Sequence, residues 1–194
     1  MKRYLIGSSL ALALMTLPAL ALAHIGGDAG MHHGSGFEAG FTHPFTGLDH
    51  MFAMIAVGIW SAMTARRVWL APAAFAAMLG VGAVLGMSGL SLPAVEPVVA
   101  ASLLVIGLLV ASRISLAATT GMALVGAFAL FHGLAHGSEL MGAAALAGMM
   151  LGTMTLHVAG IGIGSMLKSR HLLWSRALGG MVALVGVGLL SGLV

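Results

Sequence analysis

The sequence predicts an all-α integral membrane protein, a compact bundle of six transmembrane helices after a cleaved signal peptide. Three observations carry that prediction. Asp, Glu, Lys and Arg supply only 7% of the 194 residues, while AVILMFWYC residues supply 60%. Mean hydropathy is +1.09. Beyond the N-terminal segment, apolar stretches recur six times, each near the ~20 residues that cross ~30 Å of hydrocarbon. An ordinary soluble domain carries about 25% charged residues, so this chain has too little polar side chain to cover a surface in water. Its apolar exterior is expected to face lipid.

The elements follow in chain order. Residues 1–23 have the form of a secretory signal: Lys2-Arg3, the apolar run Tyr4 to Leu17, Pro18, and the small-residue site Ala21-Leu22-Ala23. Cleavage there would leave His24 with a free α-amine beside its imidazole, a pair that chelates one cation. Residues 24–44 read as a polar, Gly- and His-rich leader with Asp28 and Glu38, in which His32-His33 is either a solvated loop or a metal-gathering arm. Residues 45–194 then form the transmembrane domain. Its spans are expected at 45–64, 69–90, 95–112, 115–137, 139–166 and 172–193.

Charge orients the bundle. After the signal, the basic residues are Arg66, Arg67, Arg113, Lys168, Arg170 and Arg176, all in alternate connections, which the positive-inside tendency makes cytoplasmic. Both mature termini are then periplasmic, in a bacterial inner membrane. The acidic residues Asp28, Glu38, Asp49, Glu96 and Glu139 fall on or near the outer side, where they attract cations.

Several functions are excluded early. The pI of about 10.2 comes without a basic cluster larger than Arg66-Arg67, so no nucleic-acid partner is expected. With no Cys there is no disulfide, thiolate site or Cys nucleophile. There is no Walker-type motif and no HExxH, so the chain is not read as an ATPase or a zincin, and its leading reading is not an enzyme. No resident cofactor is expected, and oligomeric state is left open. The 29 glycines, with spacings Gly82-x-x-x-Gly86, Gly148-x-x-x-Gly152 and Gly160-x-x-x-Gly164, read as helix-packing positions, and the 15 methionines as apolar filling.

What packing does not explain is a set of ionisable residues. Such groups cost on the order of 2.5–3.5 kcal/mol at the centre of a membrane helix and need partners or work. One cluster, His43-Pro44-Phe45-Thr46-Gly47-Leu48-Asp49-His50, opens the first mature span. Pro44 suits a first helical position, leaving His43 at the cap and, in a regular helix, His50 two turns below on the same side. The other cluster, Phe131-His132-Gly133-Leu134-Ala135-His136-Gly137-Ser138-Glu139, closes the fourth. His132, His136 and Glu139 are spaced i, i+4, i+7, one helix face. The clusters reach the same depth from opposite directions and can meet. Four imidazoles and two carboxylates without sulfur suit Ni²⁺, Co²⁺ or Zn²⁺ more than Cu⁺. His157, in the fifth mature span, reads as a helix–helix hydrogen bond or as an internal polar group on an inward path, and His171 as interfacial.

On HPFTGLDH, FHGLAHGSE, the signal segment with its mature N-terminal His and the six spans, the chain resembles the HupE/UreJ family of nickel permeases encoded with hydrogenase and urease genes. That resemblance implies uptake of Ni²⁺, with cobalt in some relatives, and essential positions at His43, Asp49, His50, His132, His136 and Glu139. His24 joins them as a candidate for capture. Two rival readings remain. One is a metal-capture subunit served by a separate ATPase. The other is a rhomboid-like intramembrane serine protease, from Gly86-Met87-Ser88-Gly89 and His157-Val158-Ala159-Gly160.

Overall fold

A computed structural model describes residues 36–137, 139 and 142–193. The expected signal segment, His24, Asp28 and His32-His33 lie outside the described residues. Within them the chain forms seven helices and no strand: α1 (Phe37–Thr46), α2 (Leu48–Thr64), α3 (Leu70–Met87), α4 (Val95–Ser112), α5 (Ala118–Gly137), α6 (Ala143–Lys168) and α7 (Leu172–Leu190). Five are each long and apolar enough to cross a membrane, and α1 with α2 makes a sixth candidate span bent by 80°. The protein is thus an all-α, multi-pass membrane protein.

The first span departs from expectation. Helix begins at Phe37 rather than at 45, and Pro44 sits inside α1 instead of opening a helix. The reason is local. Phe37, Phe41 and Phe45, spaced i, i+4, stack along α1 with ring centroids 6.3 and 5.4 Å apart, an apolar stripe embedded among Gly, Glu and His. Proline is tolerated because α1 stops just beyond it. The chain then turns at Gly47, where a Cβ would come within 2.9 Å of Asp49 Oδ1. The bend separates His43 from Asp49 and His50, so they share a site without sharing a regular helix.

α6 is the mast of the bundle. Its 26 residues span about 39 Å at 1.5 Å per residue. α1 packs along its first half, with Phe37 and Phe41 backbone against Gly148 and Gly152; α2 packs lower down, with Ile55 and Ile59 backbone against Gly160 and Gly164. Gly82 and Gly86 of α3 meet Gly133 and Gly137 of α5 in the same way. All three expected glycine pairs therefore lie at helix crossings, where close backbone approach replaces hydrophobic burial as the adhesive. α4 pairs with α7 through Gly107, Gly179 and Gly186. Phe75, Met54, Leu79, Leu103, Ile106 and Met149 fill the centre, while Val84, Leu108, Leu151, Val158 and Leu184 point outward, as a lipid-facing surface requires.

Charge sorts by end. At one end Arg113, itself left-handed at φ 52°, extends its guanidinium to Ser175 Oγ (2.9 Å) and to the carbonyls of Leu167 (2.8 Å) and Arg170 (3.1 Å). A cation here also complements the C-terminal dipole of α6. Trp60 Nε1 donates to the Ile114 carbonyl at 2.8 Å, which brings the end of α2 to the same place, and His171 Nδ1 caps α7 by accepting from Leu173 N. Arg66, Arg67, Lys168, Arg170 and Arg176 belong to this end by their positions at the helix termini. Glu38, Asp49, Glu96 and Glu139 lie at the other.

Candidate metal centre

The acidic end is also the histidine end. α1 delivers His43, the first turn of α2 delivers Asp49 and His50, and the last turns of α5 deliver His132 and His136. Glu139 is not on the helical face that its spacing suggested, because α5 ends at Gly137. The turn carries its carboxylate back to the same imidazole.

Three candidate ligand atoms converge at the mouth. His136 Nδ1 lies 2.7 Å from Glu139 Oε2 and 2.7 Å from His43 Nε2, and the latter is 3.6 Å from Glu139 Oε2. Nδ1 carries at most one proton and cannot donate to both neighbours. A cation would satisfy all three: donors at about 2.1 Å from an ion and at right angles to each other stand about 3.0 Å apart, within this range. The His136 hydrogen bond holds the Glu139 carboxyl below its ordinary 4.5, followed by the nearby imidazoles, so it stays anionic.

A second set shares His136. It joins Asp49 and His50, with ligand atoms within 4.8 Å of one another. Asp49 sits in the first turn of α2, where the helix dipole favours a carboxylate, and its Oδ2 is 3.5 Å from His50 Nδ1. The His50 ring is 4.0 Å from that of His136, 6.0 Å from that of His43 and 4.8 Å from that of His132, centroid to centroid. Side-chain exposure falls along the series from 51% at Glu139 to 27% at Asp49, 24% at His43, 16% at His136 and 1% at His50. His132 is fully buried. This gradient of exposure has the form of a funnel leading into the bundle.

The buried end is underbonded. Both ring nitrogens of His50 and Nδ1 of His132 lack a hydrogen-bond partner. Leaving such groups unpaired costs on the order of 1–3 kcal/mol each, and buried polar atoms in native proteins are otherwise paired.

Ser102 of α4 joins the site without belonging to either sequence motif. Its Oγ donates to the Val99 carbonyl at 2.6 Å and lies 2.9 Å from His132 Nε2. The single hydroxyl proton is committed to Val99, so Ser102 accepts from His132, which makes Nε2 the protonated nitrogen. Nδ1 keeps its lone pair on the ring edge-to-face with His50. The signal was present in the sequence: Ser102 is the lone polar residue between Pro97 and Ala111 of an otherwise apolar helix.

The protease arrangement is not formed. Ser88 is exposed just beyond α3 and donates to the Leu85 carbonyl at 2.6 Å, whereas His157 is fully buried in mid-α6 with Nδ1 2.8 Å from the Met54 carbonyl.

Fold and site together define a multi-pass membrane protein with a nitrogen- and oxygen-lined mouth suited to a divalent transition metal. The chain belongs to the HupE/UreJ family: it matches the family described as "HupE / UreJ protein" over residues 12–189. It is 43% identical over 188 residues to "Protein HupE" of Rhizobium leguminosarum bv. viciae, covering 93% of this chain and 95% of that protein. No solved structure matches the chain. Membership gives the chain a role related to nickel or cobalt transport and no enzymatic one.

Proposed function

We propose that this protein is a secondary permease that imports Ni²⁺, with Co²⁺ as a second cargo, across a bacterial inner membrane for metalloenzymes such as hydrogenase or urease. The observation that carries the reading is His50: fully buried, neither ring nitrogen hydrogen-bonded, and framed by Asp49, His136 and His132.

The chemistry follows the funnel. The Glu139 carboxylate attracts the hydrated cation, and His43 and His136 begin to replace its water. His136 belongs to both ligand sets, so the cation passes to Asp49 and His50 by exchanging one or two ligands at a time. Two carboxylates balance the charge of one divalent ion, which moderates the cost of moving it into a dry site. His132, oriented by Ser102, is the next donor inward. His24, with its free α-amine after cleavage, and the leader would gather cation outside. The segregation of charge favours an outer mouth and a cytoplasmic basic end.

Purified protein in liposomes tests this reading. Accumulation of radiolabelled nickel without nucleotide supports a self-sufficient permease. Binding without accumulation favours a capture subunit that needs a separate ATPase.

A further inference from the structure

Beyond the mouth, the bundle interior holds one more imidazole. His157 is fully buried near the middle of α6, and its Nδ1 is 2.8 Å from the Met54 carbonyl of α2. A carbonyl only accepts, so Nδ1 carries the proton and Nε2 carries a lone pair. That lone pair has no hydrogen-bond partner. One turn nearer the mouth on the same helix, Thr153 is also fully buried with its Oγ1 unpaired. Met54 and Phe75, the residues that His157 meets, are fully buried and apolar, as are Ala53 and Val57 of α2 and Met149 of α6.

A helix–helix hydrogen bond needs one ring nitrogen. In an apolar interior the second is a liability, and a leucine would pack there without it. An imidazole that donates one N–H to a carbonyl and turns a bare nitrogen inward has the outer-shell arrangement of a metal ligand, because the hydrogen bond fixes both tautomer and ring orientation. His157 is also connected to the mouth. The buried Phe75 ring lies edge-on to it, with centroids 5.2 Å apart, and lies 5.7 Å from the ring of His132.

We infer that His157 Nε2, with the Thr153 hydroxyl as oxygen donor, is an inner station that receives a borderline divalent cation from His132 past the Phe75 ring. The station rests on the metal-transport reading and extends it by one site, in the half of the membrane where the two sequence motifs supply nothing. A single imidazole with one hydroxyl binds weakly, as a site that must release its cargo requires.

The test separates ligation from packing with His157→Asn, whose amide nitrogen takes the place of Nδ1 and keeps the Met54 hydrogen bond while Nε2 is lost. Nickel binding to purified protein and nickel uptake into liposomes are measured together. The expected result is binding at the mouth within twofold of wild type and uptake reduced at least tenfold. Wild-type uptake by His157→Asn overturns the inference. Joint loss of binding and uptake also overturns it, by making His157 a residue that holds the fold. Failure of the wild-type protein to bind nickel at all sinks the metal reading itself, and the station with it.

Discussion

Ser102 fixes the protonation of His132: with the serine hydroxyl donated to Val99 at 2.6 Å, the 2.9 Å contact to His132 Nε2 leaves the imidazole as donor and Nδ1 with the free lone pair. Outer-shell partners of this kind are worth 10–100-fold in metal affinity. Ser102→Ala is therefore expected to weaken nickel binding about tenfold with the helical fold retained, and Ser102→Thr to restore most of it. Equilibrium dialysis gives the affinity, and the ring-nitrogen chemical shifts of His132 report the tautomer directly. Unchanged affinity and unchanged tautomer in Ser102→Ala would remove Ser102 from the site.

The shared position of His136 ranks the variants. His43→Ala removes a candidate ligand from one set and Asp49→Ala one from the other, whereas His136→Ala breaks both. Uptake should fall further in His136→Ala than in His43→Ala, by about tenfold if one ligand is worth what an outer-shell partner is at its lower limit. Initial rates of labelled nickel uptake at matched protein levels check the order. The reverse order would contradict a funnel with His136 at its joint.

External pH should act through the imidazoles. Glu139 is held below its usual range by the His136 hydrogen bond. A carboxyl lowered in this way contributes stability above its unfolded value and loses it only as pH falls through the lower, folded one. It therefore adds no slope between pH 7.5 and 5.5. Ligating His must be neutral, and burial disfavours the charged form, so protons compete with metal only below the ordinary value near 6.5. Nickel uptake is therefore expected to hold between pH 7.5 and 6.5 and to fall as external pH drops toward 4, and flat uptake down to pH 4 would argue against His ligation.

The glycine crossings make a prediction about stability that does not involve metal. A Cβ on Gly160 would meet the Ile55 carbonyl of α2, while one on Gly162 meets nothing within 4 Å. Gly160→Ala should lower the melting temperature of the purified protein by several degrees. Gly162→Ala should leave it unchanged or raise it, since alanine gains up to ~1 kcal/mol over glycine in a helix interior. Equal melting temperatures would mean that the α2–α6 crossing does not depend on close backbone approach.

Much of this molecule is legible in its sequence because lipid imposes simple demands. Spans 95–112 and 172–190 fall within a few residues of their expected bounds since nothing but apolar length defines them. The two motifs announce the mouth because an ionisable residue in a membrane helix is too costly to keep without a partner or a task. The first span is harder to read for a physical reason. Pro44 and the surrounding Gly, His and Glu have the composition of a leader, and the Phe37, Phe41, Phe45 stripe that makes α1 helical is only three residues long. Ser102 and the free Nε2 of His157 are hidden for another. Their importance lies in which proton each hydrogen bond commits, and that depends on partners 30 and 103 residues away.

Metal passage through this mouth is tested most directly by labelled nickel and cobalt uptake in cells lacking their own permease, comparing wild type with Asp49→Ala and His132→Ala at equal membrane abundance. Wild type is expected to accumulate metal, and both variants to lose that accumulation. Equal accumulation in all three would contradict the assignment of the site.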